Sequence, residues 1–328
     1  MQNVWRVAVT DDQRRERDIV QRLADLEKLA KELGDDDAAA EAALVADRVQ
    51  HAQFFVACVG QFKRGKSTLI NALLGEALLP TGVTPVTTVP TVVRYGPQRL
   101  ARVKSSDGEW ELIQTAAIRE YVSEECNPSN KKGVGGVELL EPSPMLASGL
   151  CLIDTPGLGS VFEANTQATV GFAPHIDVAL IVIGADPPIS GDELRLIDAI
   201  GRQVSELLVV LNKADRSTAD ERATASAFAR RMIADRLGRS LEESYEVSAR
   251  DQLEQSRQWP DWDRFVGSLQ ALSKQSGNAI AVAAGRRAVM RLSARMRAGI
   301  AWTVKRFEPS AQHDVRTGRR QLRLPLDC

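Results

Sequence analysis

Phe54-Phe55-Val56-Ala57-Cys58-Val59 runs into Gly60-Gln61-Phe62-Lys63-Arg64-Gly65-Lys66-Ser67, and Thr68-Leu69-Ile70-Asn71 follows. The first six residues are an unbroken apolar run of strand length, and the last four open a helix. Between them lies a glycine-bounded loop. Glycines let backbone N–H groups turn inward around phosphate oxygens, and the helix N-terminus adds the positive end of its dipole. In this pattern Lys66 reaches the β- and γ-phosphates and the Ser67 hydroxyl ligates Mg²⁺. Lys63, Arg64 and Thr68 complete the expected cradle with Gly60 and Gly65. An ordinary turn carries such letters by chance only rarely, and more rarely still between a strand and a helix. The reading is an α/β fold built around a nucleoside triphosphate.

Two further segments narrow the nucleotide to GTP, bound as GTP or GDP. Leu207 to Leu211 reads as a buried strand that delivers Asn212-Lys213-Ala214-Asp215 at its carboxyl end, where open α/β sheets bind ligands. A carboxylate only accepts hydrogen bonds. Asp215 therefore suits guanine, which offers N1–H beside an exocyclic amine, whereas adenine would leave the charge desolvated and unpaired. Lys213 can lay its stem along the base, and Asn212 would brace neighbouring loops. The second segment is Gly149-Leu150-Cys151-Leu152-Ile153 followed by Asp154-Thr155-Pro156-Gly157. Asp154 is placed to hold Mg²⁺ through water, and the Gly157 N–H to contact a γ-phosphate. Glu246-Val247-Ser248-Ala249 ends another strand, so Ser248 and Ala249 could offer backbone N–H to the guanine O6.

Catalysis at such a site is positioning and electrostatics. Leu158 follows Gly157, where many small GTPases carry a Gln that orients the attacking water. Leu158 cannot do so, and slow basal turnover is expected.

Composition excludes several alternatives. The 328 residues hold 42 Lys and Arg against 43 Asp and Glu, for a formal charge of −1. No global basic excess invites nucleic acid. Four cysteines show no CxxC spacing, and three histidines form no ligand cluster; Cys58 and Cys151 lie in expected core strands as small apolar fillers. The N-terminus lacks an apolar signal core, and the apolar runs are strand-length, far short of a span. A soluble cytoplasmic protein, or one peripheral on the inner face of a membrane, is expected.

Short apolar strands alternate with amphipathic helices from Phe54 to about Ser273, the pattern of a mostly parallel sheet between helices. Strands are expected near 54–59, 91–95, 101–106, 135–140, 150–153, 178–183, 207–211 and 245–248. Helices are expected near 67–74, 114–125, 164–172, 191–203, 218–236 and 261–273. Residues 11 to 50 read as two helices broken at Gly34-Asp35-Asp36-Asp37, with Ile19, Leu23, Leu26, Ala30 and Leu33 as an apolar stripe. Ala279 to Phe307 carries a second stripe of Val289, Leu292, Met296, Ile300, Val304 and Phe307. That stripe is expected to pack on the first, which leaves Arg287, Arg291, Arg295 and Lys305 as a solvated face; a surface on anionic lipid is the competing reading. The domain reading is a helical neck segment at 1–52, a GTPase domain at 53–275, a neck helix at 276–307 and a loose tail at 308–328.

Between the phosphate loop and Asp154 lie more residues than a minimal Ras-like domain uses, among them Leu79-Pro80-Thr81-Gly82-Val83-Thr84-Pro85-Val86-Thr87-Thr88-Val89-Pro90-Thr91. With Asp154-Thr155-Pro156-Gly157-Leu158-Gly159-Ser160 and Ala185-Asp186-Pro187-Pro188-Ile189-Ser190, these resemble the GTPase domain of the dynamin family in its bacterial dynamin-like branch, over about residues 50 to 275. The resemblance implies that Thr87 ligates Mg²⁺ and helps place water, with Thr88 as an adjacent competitor. It also implies that the loop at Asp186-Pro187-Pro188 lies near a face on which GTPase domains pair to accelerate hydrolysis, and that the protein takes part in membrane remodelling. Phe62-Lys63 stand where animal relatives carry a Gln-Ser pair, so water positioning by that pair does not transfer. Family members continue into a long stalk; here one long helix and a short tail follow residue 275, so a truncated or divergent relative, or one working with a second dynamin-like chain, is expected. A GTP-dependent switch on RNA or the ribosome, suggested by the basic Arg286 to Arg323 region, and a non-hydrolysing GTP-binding scaffold are the alternatives.

Overall fold

A computed structural model describes residues 11–82, 89–105, 108–156, 176–202, 204, 206–238, 241 and 244–307. Two helices open it. Helix α1 (Asp11–Glu32) has neither Gly nor Pro, and Lys31 pairs with Glu27 one turn back. Gly34 ends it with φ near +70°, and the Asp35 side chain then caps α2 (Asp36–Gln50) by accepting from the Ala38 amide at 3.1 Å.

The chain next enters β1 (Phe54–Val59) and α3 (Lys66–Leu74). Then come β2 (Thr91–Tyr95), β3 (Leu100–Ser105), β4 (Trp110–Ile113), the short α4 (Ile118–Val122), β5 (Val134–Glu141), β6 (Leu150–Asp154) and β7 (Val178–Ile183). The second half holds α5 (Gly191–Gly201), β8 (Glu206–Leu211), α6 (Ala219–Leu237), β9 (Ser244–Glu246), α7 (Ala249–Leu253), α8 (Pro260–Ala271) and α9 (Gly277–Phe307).

Among the described residues nine strands form one sheet in the order β4-β3-β5-β2-β6-β1-β7-β8-β9. The half from β6 through β9 is parallel, and β2 joins it antiparallel to β6. Strands β1, β6 and β7 are buried along their whole length, as their unbroken apolar runs require. Toward the other edge β3 runs antiparallel to both β4 and β5. There Glu138 of β5 is held between Arg94 of β2 and Arg102 of β3, a cross-strand charge set on one face.

The structure departs from the sequence reading in several places. Strand β4 was not expected: its residues are largely exposed and pair only with β3, so they show little apolar signal. The helix expected over 114–125 is a 3₁₀ turn followed by the five residues of α4. A π-helical stretch, Leu272–Ser276, joins α8 to α9. Ile300 of the α9 stripe is 41% exposed rather than packed, and the side chains of Val304 and Phe307 lie outside the described ones. The helix expected at 164–172 lies outside the described residues.

Helices α1, α2 and α9 pack on one another. Their shared apolar cluster includes Ile19, Leu23, Val45, Val49, Leu292 and Met296, distinct from the core that surrounds the sheet. Among the described residues no helix is long and apolar enough to cross a membrane.

Candidate functional site

Four loops converge at the carboxyl edge of the parallel half-sheet. The first, Gly60 to Gly65, joins β1 to α3. Its ends need glycine for different reasons. A Cβ on Gly60 would stand 2.3 Å from the Val182 carbonyl oxygen, so only glycine lets β1 leave the sheet beside β7. Gly65 has φ +86°, and a Cβ there would meet Asn212 Nδ2 at 2.6 Å.

Lys66 begins α3 and is buried; its ammonium donates to the carbonyls of Gly60 at 3.0 Å and Gln61 at 3.2 Å. Burial pulls its pKa below the usual lysine value, against the opposing pull of Asp154. Ser67 Oγ donates to Asp154 Oδ2 at 2.6 Å. The first turn of α3 and the end of β6 therefore meet, as the sequence reading required. Thr155 turns away, its hydroxyl donating to the Cys58 carbonyl at 2.6 Å.

Asn212 is the brace. Its Nδ2 donates to the Arg64 carbonyl at 2.9 Å and its Oδ1 accepts from the Ala249 amide at 3.0 Å. One buried side chain thus joins the phosphate loop to the β9–α7 junction. Lys213 sits in the left-handed region at φ 62°, and burial draws its pKa down, helped by Arg216 and Arg64. Asp215 accepts from Arg250 at 2.8 Å. Ser248 caps α7, accepting from the Asp251 amide at 3.2 Å, so the segment expected as strand to 248 leaves the sheet after Glu246. Thr68 is partly exposed in the first turn of α3. Thr87 and Gly157 lie outside the described residues.

The Arg64 side chain has partners outside the cradle. Its guanidinium does not face the cradle: Nε lies 2.9 Å and Nη2 3.0 Å from the two oxygens of Glu193, and Nη1 donates to the Pro187 carbonyl at 2.8 Å. Glu193 was not anticipated, because its partner lies 129 residues away. The one local signal was Ser190 three residues before it, a capping box that α5 does form. A cavity of about 350 Å³ opens beside this pair, lined by Phe62, Lys63, Gly184, Pro187, Lys213 and Arg216 among others.

A glycine-bounded loop between strand and helix, with Ser67 against Asp154 and an Asn-Lys-Ala-Asp turn beyond β8, defines a P-loop nucleotide-binding fold. Residues 56–214 match the family model described as "Dynamin family". The chain is 25% identical over 208 residues to Dynamin-like protein A of Bacillus subtilis, covering 63% of this chain and 17% of that one. It is 32% identical over 167 residues to Dynamin-like protein 2 of Campylobacter jejuni, covering 51% and 27%. An uncharacterised protein of Caldicellulosiruptor sp. is 34% identical over 210 residues, covering 64% and 52%. Among solved structures, a chain of an oligomerised bacterial dynamin pair shares the fold at TM-score 0.58 and 20% identity, over 85% of this chain and 43% of that one. Residues 56–214 are a dynamin-family domain, similar to those of bacterial dynamin-like proteins. The chain spans about half of the Caldicellulosiruptor relative and roughly a quarter or less of the other two curated relatives.

Proposed function

We propose that this chain binds GTP with Mg²⁺ and hydrolyses it to GDP and phosphate, and that pairing of two GTPase domains accelerates the reaction. The observation that carries this reading is the 2.6 Å contact between Ser67 Oγ and Asp154 Oδ2. It sets a hydroxyl and a carboxylate from two elements beside the buried Lys66 ammonium. These are hard oxygen donors, the set Mg²⁺ takes when phosphate and water supply the rest. Ser67 and Asp154 would hold the ion, with Thr87 as the third expected ligand, and the bound ion would neutralise charge developing on phosphate oxygens.

The chain's own groups perform the remaining work. Lys66 sits at the helix start where β- and γ-phosphates meet it, and the N-terminus of α3 faces the same anion. Asp215 selects guanine, with Lys213 along the base and the Ser248-Ala249 amides near its O6. Arg250 holds the Asp215 carboxylate at 2.8 Å until a guanine competes for it. Leu158 offers no hydrogen bond to water, so acceleration falls to backbone groups or to a second domain. The Asp186-Pro187-Pro188 loop beside the cavity is the surface we assign to that pairing. The domain spans 53–275, and the bundle of α1, α2 and α9 acts as a neck that carries the change away from the sheet.

Membrane association is supported by the relatives alone: the bacterial dynamin pair that shares the fold senses and tethers membranes. Specific GTPase activity measured against protein concentration, with and without anionic liposomes, tests both parts. A rate that rises with concentration supports pairing, and a concentration-independent rate removes it. Calorimetry that finds ATP bound as tightly as GTP removes the guanine assignment.

A further inference from the structure

Glu193 lies in the first turn of α5 and is 1% exposed. A carboxylate so buried needs hydrogen-bond donors on both oxygens, and it has them. Oε1 accepts from the Gln61 amide at 3.1 Å and from Arg64 Nε at 2.9 Å. Oε2 accepts from Arg64 Nη2 at 3.0 Å and from the Ser190 amide at 2.8 Å. The contact with Arg64 is the two-pronged form, the stronger and more directional arrangement.

Two consequences follow for the phosphate loop. The Gln61 N–H points at Glu193, so it does not belong to the set of amides offered to phosphate. The Arg64 guanidinium spends all three nitrogens on α5 and the preceding loop, since Nη1 reaches the Pro187 carbonyl at 2.8 Å. Gly184 makes room for it: a Cβ there would stand 2.8 Å from Nη1. From the opposite side Asn212 takes the Arg64 carbonyl at 2.9 Å. The loop is therefore held from two sides, by Glu193 at Gln61 and Arg64 and by the Asn212 amide at the Arg64 carbonyl.

We propose that Glu193 is a positioning residue of the triphosphate site: it fixes the leading half of the phosphate loop and holds the Arg64 cation away from the phosphates. The inference rests on the nucleotide reading above. Without the Glu193 charge, Arg64 is a buried cation with no counter-ion, and the loop must open or turn the guanidinium toward the bound anion. Either change alters how the loop amides and Lys66 meet phosphate.

The test uses the full chain, fluorescent GDP and GTP analogues, and the variants Glu193→Gln, Arg64→Ala, their double, and Arg64→Lys. Glu193→Gln keeps the shape and one acceptor oxygen but not the charge. It should weaken both nucleotides by about tenfold, mainly through faster dissociation, as loss of a charge-assisted pair implies. The double variant should bind no worse than Glu193→Gln alone, because the two residues act as one unit. Arg64→Lys keeps the charge without the fork and should bind between wild type and Arg64→Ala. A change in melting temperature with unaltered affinity would reduce Glu193 to a structural brace and overturn the proposal. Should Glu193→Gln not fold, wild-type affinity in Arg64→Lys overturns it equally. Failure of the wild type to bind either nucleotide would instead remove the nucleotide site itself.

Discussion

Arg48 Nη2 donates to Asp177 Oδ2 at 2.5 Å, with both side chains almost wholly buried. Arg48 belongs to the helical bundle and Asp177 stands one residue before β7, so the pair bolts α2 to the edge of the sheet opposite the nucleotide loops. The Phe55 amide donates to the same oxygen at 2.9 Å, and Arg287 of α9 reaches the other at 2.8 Å. Arg48 also lies 3.8 Å above the Phe55 ring. Burial pushes the Asp177 carboxyl above its ordinary range, while Arg48, the Phe55 amide and Arg287 pull the other way.

Removing one partner leaves a charge inside the protein. Arg48→Ala should therefore lose roughly 3–5 kcal/mol of folding stability. Arg287 is one-third exposed, and its removal should cost clearly less because water can replace it. Urea titration of both variants checks the ranking; equal small losses would mean that the bundle is not held through Asp177.

Lys66 gives a pH prediction with a definite sign. Burial holds its pKa below the usual 10.5, despite the nearby carboxylates of Asp154 and Glu193, and Arg64 adds to the depression. A triphosphate favours the ammonium form and raises the pKa again. In the alkaline window between the lowered and the restored value, nucleotide binding should take up a proton. Affinity should fall as pH rises through the lowered value and be flat below it. Calorimetry in buffers of different ionisation enthalpy measures the proton count. Lys66→Ala should abolish binding or turnover, and a variant that keeps both would move the site elsewhere.

Asp215 predicts an exchange of base preference. Asp215→Asn replaces a pure acceptor with a side chain that can also donate. GTP affinity should fall by roughly 10²-fold, while xanthosine triphosphate, with an oxygen in place of the exocyclic amine, should gain. Competition binding of the two nucleotides to wild type and variant decides it. Loss of both would point to a collapsed loop, since Asp215 also anchors Arg250.

What the sequence made legible was whatever is local. The β1–loop–α3 unit, the buried runs of β6, β7 and β8 and the two capped helices α5 and α6 announce themselves within a dozen residues. The Ser67 and Asp154 pairing followed because each ends a strand or opens a helix in a recognisable order. Strand β4 was illegible because an edge strand with exposed Trp110 and Leu112 has no buried face to imprint a pattern. Glu193 and Asp177 were missed for a different reason. A buried acid reads as a surface acid until its arginine arrives from 129 residues away. Arg64 shows the same limit: the sequence places it in the phosphate loop, and only the fold shows its guanidinium turned to Glu193.

Asn71 offers the last test, on the stretch that leaves the phosphate-loop helix. Its side chain is fully buried near the end of α3. Nδ2 donates to the Leu79 carbonyl at 2.8 Å, and Oδ1 accepts from the amides of Leu78 at 3.1 Å and Leu79 at 2.8 Å. One amide thus satisfies three backbone groups that no strand or helix serves. Asn71→Ala would strand the Leu79 N–H and C=O, at about 1–3 kcal/mol for a buried group left unpaired, while the Leu78 amide keeps the Glu76 carbonyl at 3.0 Å. Asn71→Asp keeps the acceptor but loses the donor to Leu79, so it should fall between wild type and Ala when its charge is discounted. Because Leu79 opens the interval that carries Thr87, the loss should also appear at the site: catalytic turnover should drop further than GDP affinity. Thermal melting gives the first quantity and paired kcat and GDP-binding measurements the second. A variant that melts early yet turns over normally per folded molecule would confine Asn71 to the fold.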